Sequence, residues 1–222
     1  MTSDNMDYIT IALPKGKLFG ISADLLAKAG YTAQDLSEKS RKLVITNEEK
    51  KIRFIISKTA DVPTYVEYGA ADIGIIGKDV LTESGMDVYE LLDLGFGRCH
   101  LMMAVNKACK REKLTDYAHT RVATKFPHIA EKFFNSKGMQ MEYIKLNGSI
   151  ELAPILGLSD VIVDIVETGT TLRENGLKVV TEFMPISARF IANKASYQFK
   201  HAEMDTMLEK LRAQLQNKEE AK

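Results

Sequence analysis

Two carboxylates, three hydroxyls and a glycine fall within eight consecutive positions: Asp164, Glu167, Thr168, Gly169, Thr170 and Thr171. Ionised carboxylates accept the hydrogens of sugar hydroxyls, while Thr hydroxyls and backbone N–H groups donate to a phosphate. Gly169 lets the backbone approach a ligand closely. The group therefore fits a sugar phosphate. A second set, Lys15-Gly16-Lys17, puts two cations around a glycine where cation and N–H could share an anion, although two solvated lysines on a turn would account for it equally well. For Arg41 and Lys42 a surface role is the simpler reading, and His100, alone in an apolar stretch, reads as a structural histidine.

The elements that must position these groups follow from local pattern. Val161 to Val166 is an apolar β-branched run broken only by Asp164, as expected of a parallel strand covered on both faces, with Asp164 near its carboxyl end. Thr171 and Glu174 have capping-box spacing, so a helix is expected to open there, its N–H groups and dipole favouring an anion, and to stop at Gly176. Tyr8 to Leu13 reads as the first strand, and Pro14-Lys-Gly-Lys17 turns it into a helix from Leu18 to Ala29, closed by Gly30. Leu43 to Thr46 and Ile52 to Ile56 form a hairpin. Asp61 caps a helix with Pro63 in its first turn, Ala71 to Gly77 is a buried strand whose glycines leave room for something close, and Lys78-Asp79 opens a helix to Gly85.

Gly95 and Gly97 mark a hinge before the strand His100 to Val105. A polar surface stretch, Ala108 to Thr120, precedes a βαβ unit: strand Arg121 to Thr124, helix from Pro127 to Gly138, strand Met141 to Leu146. Ser149 is expected to cap the turn before Gly157. Leu177 to Met184 reads as a strand that Pro185 breaks, and Ser187 to Ala192 as another. Met204, Met207, Leu208, Leu211 and Leu215 share one helical face directed at a core or a partner, and the Lys218 to Lys222 end is expected to fray. This alternation means an α/β fold, and the breaks at Gly95/Gly97 and Pro185 suggest two crossings between two lobes.

Bulk properties narrow the function by exclusion. Thirty basic and thirty acidic residues balance, so neither nucleic acid nor an anionic membrane is favoured and anion binding must be local. Cys99 and Cys109 are too few for a disulfide framework and lack zinc spacing, which suits reduced thiols in a cytoplasmic protein. The N-terminal heptapeptide is polar, no apolar run approaches membrane-span length, and neither secretion nor a membrane anchor is expected. No nucleophile elbow, Cys/His pair, metal-ligand cluster or Walker A pattern occurs. What remains suits displacement of pyrophosphate from a ribose by a nucleophile already present in a substrate. Such a reaction depends on positioning and electrostatics, with Mg²⁺ held mainly through the pyrophosphate oxygens and no dedicated protein metal site.

Four blocks resemble the short form of the ATP phosphoribosyltransferases, the family that opens histidine biosynthesis. They are Leu13-Pro-Lys-Gly-Lys-Leu18, Asp61 to Leu81, Gly148-Ser-Ile-Glu-Leu-Ala-Pro154, and Asp164 to Leu177. The resemblance implies a two-lobed fold like the type II periplasmic binding proteins with a central cleft, lobe I being 1–94 plus 185–222 and lobe II 95–184. It implies that N1 of ATP attacks C1 of phosphoribosyl pyrophosphate. Glu167, Thr168, Gly169, Thr170 and Thr171 would hold the 5-phosphate, Asp164 or Glu167 the ribose hydroxyls, and Lys15, Gly16, Lys17 and Arg41 the ATP phosphates or pyrophosphate. Asp164, Glu167, Lys17 and Arg41 would thus carry the catalysis. The family pattern usually has Arg where this chain has Lys17 and His100. It further implies a homodimer, and a hetero-oligomer with a regulatory subunit related to histidyl-tRNA synthetase through which histidine acts, since the chain ends after one amphipathic helix. The alternatives are a solute-binding or effector-sensing module, and a phosphoribosyltransferase of other specificity.

Overall fold

The computed structural model describes residues 8–220, so the polar lead-in 1–7 and the last two residues lie outside it. Contacts divide the chain into two compact units, residues 1–97 with 187–222 and residues 98–186.

In the first unit, β1 (Ile9–Pro14) lies parallel to both β3 (Ile52–Ser57) and β4 (Ile73–Gly77). β2 (Val44–Asn47) forms the expected hairpin with β3, and β11 (Ala188–Ala192) runs antiparallel to β4 and to β5 (Tyr89–Asp93). The order is β2-β3-β1-β4-β11-β5. β5, just before the Gly95/Gly97 break, is a strand the sequence pattern did not mark; its residues are half-exposed to exposed, so its only strong signal is its pairing with β11. One face buries Ile11, Leu13, Phe54, Ile73, Ile75 and Phe190 against α1 (Lys17–Lys28) and α7 (Lys194–Glu220). Met204, Met207, Leu208 and Leu211 of α7 are at most 4% exposed, so that helix's apolar stripe faces the core. α7 stays helical to Glu220, and non-helical angles at Lys200 kink it where Lys200 Nζ reaches the buried Asp72 at 2.9 Å.

The other face packs on α2 (Val62–Glu67) and α3 (Lys78–Ser84). Here the tight spaces at the β4 glycines are filled by the protein itself. A Cβ on Gly74 would lie 2.8 Å from Val66, and one on Gly77 would lie 2.2 Å from the Asp79 carboxylate. Asp61 precedes α2 by position only: it ends a short 3-10 turn in αR geometry and its side chain caps nothing.

The second unit is a mixed sheet in the order β10-β6-β9-β7-β8, built from β6 (Cys99–Asn106), β7 (Arg121–Thr124), β8 (Glu142–Lys145), β9 (Val161–Val166) and β10 (Leu177–Ile186). β9 is parallel to β7 but antiparallel to β6, so the parallel environment read from its apolar run holds on one side only. Pro185 does not break β10. It pairs opposite His100 on the edge strand, where a missing N–H costs no ladder bond, and the chain leaves the sheet only after Ile186. α4 (Pro127–Ser136) covers one face with Ile129, Ala130 and Phe134. The opposite face carries α5 (Leu152–Ile155) and α6 (Thr170–Glu174), anchored through Ala153 and Leu172 on Ala104, Ala123 and Ile162. Ser149 is not a cap: it takes a left-handed φ of 49°, and Glu151 precedes α5. Among the described residues no helix is long and apolar enough to cross a membrane.

Candidate active site

The sugar-phosphate group assembles in the second unit at the carboxyl end of β9. Alternation along β9 puts Asp164 on the face of Ile162, the face covered by α5 and α6, while Val161, Val163 and Ile165 point to the α4 side. Asp164 is half-buried, and its Oδ1 accepts the Ile165 N–H at 2.8 Å. Removal from water is the main influence and pushes its carboxyl up to about 6. The Ile165 N–H works against this, the Glu151 carboxylate adds to it, and Lys125 opposes it. At neutral pH the group is therefore mostly ionised, an acceptor held in poor solvent and suited to hydroxyl donors.

Glu167, Thr168, Thr170 and Thr171 follow, all exposed, in the turn from β9 into α6. Gly169 makes that turn with a left-handed φ of 72° at the position before the helix. The Thr171–Glu174 capping box is not formed, because α6 already begins at Thr170 and both residues lie inside it. Order comes instead from Arg173. Its guanidinium donates to the Thr168 carbonyl and to Thr170 Oγ1, both at 3.0 Å, and the Thr168 and Thr170 hydroxyls stand 3.1 Å apart. Gly176, with φ 70°, ends the short helix as expected.

Arg173, Lys125 and Glu151 were missed as site residues. Arg173 is three positions after Thr170, so helical spacing was a usable signal. Lys125 follows β7, and only the parallel β7–β9 pairing brings it to Asp164. His100, read as a structural histidine, is half-exposed and has a partner: its Nδ1 lies 2.5 Å from the Glu182 carboxylate on the neighbouring strand.

The Lys-Gly-Lys set is in the first unit, at the junction of β1 and α1. Lys15, Gly16 and Lys17 are exposed, and Gly16 takes a φ of 93°. The Thr59 hydroxyl holds the Lys15 carbonyl at 3.3 Å and the Lys15 N–H donates to the Ser57 carbonyl at 2.9 Å, which fixes the turn. Glu38 Oε1 accepts the Gly16 N–H at 2.7 Å, so the loop between α1 and β2 folds back onto this turn, with exposed Arg41 three residues further on. Lys15, Gly16, Lys17 and Arg41 thus gather in one unit, and Asp164 with Glu167 to Thr171 in the other.

The family model described as ATP phosphoribosyltransferase matches residues 58–213. The chain belongs to the ATP phosphoribosyltransferase family. Relatives in this family are pentosyltransferases, and an ATP phosphoribosyltransferase of Lachnoclostridium phytofermentans is 52% identical over 209 residues, covering 93% of this chain and 97% of the relative. That of Thermoanaerobacter sp. strain X514 is 54% identical, covering 93% and 96%. A chain of the ATP phosphoribosyl transferase (HisG:HisZ) complex from Thermotoga maritima superposes with a TM-score of 0.81 at 33% identity, over 94% of this chain and 99% of that one. The sulphonate-binding protein SsuA of Escherichia coli, 13% identical with a TM-score of 0.61, shares the fold alone, that of the type II periplasmic binding proteins.

Among the described residues no three His, Cys, Asp or Glu side chains gather as a metal site.

Proposed function

We propose that this chain is the catalytic subunit for the first step of histidine biosynthesis, joining ATP to phosphoribosyl pyrophosphate. The observation that carries the reading is the ordered run from Asp164 to Arg173, carboxylate then hydroxyl loop then guanidinium, in a chain of this family. N1 of the adenine attacks C1 of the ribose through a free lone pair, the C1–O bond breaks, and its electron pair leaves with pyrophosphate. No proton has to be removed before the C–N bond forms, so the protein's task is placement and charge. Asp164 and Glu167 accept the ribose hydroxyls, and the hydroxyls and N–H groups of 168–171 take the 5-phosphate. Lys15, Gly16, Lys17 and Arg41 take the ATP phosphates or the departing pyrophosphate, after displacing Glu38 from the Gly16 N–H. Mg²⁺, when bound, neutralises the pyrophosphate through its oxygens.

The chain works in the cytoplasm as a homodimer joined to a histidyl-tRNA-synthetase-like regulatory subunit; the HisG:HisZ complex of the Thermotoga relative supports that partner. Pyrophosphate release from phosphoribosyl pyrophosphate, measured with and without ATP in the presence of the partner, should require ATP. Release that ignores ATP, or none at all, would defeat the proposal.

Arg173 is a positioning residue in this scheme. Arg173→Ala should raise the KM for phosphoribosyl pyrophosphate about tenfold, the value of one charge-assisted bond or two weak ones, with kcat little changed. Arg173→Lys keeps the charge without the fork and should recover only part of the loss. A fall in kcat with KM intact would contradict the role.

A further inference from the structure

We propose that the second unit carries another oxyanion site at the opposite end of its sheet, in the cavity lined by Arg111, Arg121 and Ser159. The cavity is about 680 Å³. Asn106 at the end of β6, Arg121 at the start of β7 and Ser159-Asp160 just before β9 line it, together with Lys110, Arg111 and the Pro154 to Gly157 turn after α5. β9 runs its six residues between this cavity and the Glu167 to Thr171 loop, a separation of roughly 20 Å. The two are separate places.

Ser159 supplies the argument. It is 5% exposed, it lines the cavity, and its Oγ has no hydrogen-bond partner among the described residues. A buried hydroxyl without a partner costs about 1–3 kcal/mol, which a ligand acceptor would relieve. The charges facing the cavity are Lys110, Arg111 and Arg121 against the single carboxylate Asp160, an excess of cation in a chain whose overall charge is zero.

The walls are fixed before any ligand arrives. Arg121 Nη2 donates to the Gly157 carbonyl at 3.1 Å, Lys178 Nζ to the Cys109 carbonyl at 2.7 Å, and the Tyr117 hydroxyl to the Arg111 carbonyl at 3.0 Å. Ala108, Cys109 and Pro154 give the cavity an apolar side. The ligand class is thus a small phosphate or carboxylate with some carbon body, bound by two or three cations and one hydroxyl donor.

Cys109 is a local reporter, since it lines the cavity and the Arg111 backbone N–H holds its thiol below the usual range. Alkylation of Cys109 relative to Cys99 is followed by peptide mass in the intact chain, with inorganic phosphate in one arm and succinate in the other, at constant ionic strength set by chloride. Either anion should slow Cys109 at least threefold and saturably, and the stronger arm tells phosphate from carboxylate. Ser159→Ala should raise the concentration for half protection about fivefold while the ligand-free melting temperature holds or rises. Arg121→Ala should abolish protection, and Thr170→Ala should leave it intact. No protection in either arm, or equal protection in wild type and Ser159→Ala, overturns the proposal.

Discussion

Asp164→Asn should give a protein that is more stable and nearly inactive at neutral pH. The Asp164 carboxyl titrates near 6 in the folded chain against 3.8 as the reference. A raised folded value means the native state holds the proton more tightly, so the stability it contributes is complete below about pH 4 and is lost as pH rises through 6. About two pH units set a ceiling of about 3 kcal/mol, and water at the partly exposed edge brings the expected gain at pH 7 to about 1–3 kcal/mol. Asn keeps an acceptor for the Ile165 N–H. Denaturant melts at pH 7 and pH 4 should show the variant ahead at pH 7 and level at pH 4. Activity moves the other way. Two charge-assisted bonds to ribose hydroxyls are worth about 3–6 kcal/mol together, so kcat/KM should fall about 10²–10⁴-fold. Wild-type activity should also decline as pH drops through 6. A variant no more stable than wild type at pH 7 would mean that Asp164 is already well satisfied, and the ribose role would lose its physical basis.

That trade of stability for a poised carboxylate was half visible in the sequence. Asp164 interrupting five β-branched positions marked the site, because an acidic residue in such a run has no packing use. The burial that raises its proton affinity was not visible, since it depends on α5 and α6 closing over one face of β9. Glu151 and Lys125 lie 13 and 39 positions from Asp164 and reach it only through that packing. Periodicity gave the helices and buried strands well, including the α7 stripe on the core. It failed where long-range pairing overrides local preference, at Pro185 within edge strand β10 and at the half-exposed strand β5. Capping signals misled in three places, at Asp61, Ser149 and Thr171. In each the residue at the expected offset makes no side-chain bond to the helix start: Asp61 is itself in αR geometry, Ser149 lies three residues before the first residue of α5, and Thr171 lies inside α6. The glycines of β4 were legible as places of close approach, but not what approaches them, which is Val62, Val66 and Asp79 of the protein itself.

Gly169→Ala combined with Thr170→Ala should weaken phosphoribosyl pyrophosphate binding about 10²-fold and leave ATP binding close to unchanged. Gly169 sits at φ 72°, where a side chain costs about 1–2 kcal/mol, and its Cβ would stand 3.2 Å from Arg173 Nη1. Thr170 offers its hydroxyl to the phosphate and is also the acceptor that holds Arg173. Both changes therefore act on the same latch. Their effects should not add: each single variant already loosens the guanidinium, one by crowding Nη1 and the other by removing the Nη2 acceptor, so the double should fall short of the sum by about 0.5–2 kcal/mol in a double-mutant cycle. Calorimetry with each substrate separates this from general damage, because α6 is tied to the sheet by Leu172, which neither change touches. Equal losses for both substrates would point to a collapsed unit. Unchanged affinity for phosphoribosyl pyrophosphate would remove the 5-phosphate from this loop, and with it the reason for Arg173 to be folded across two threonines.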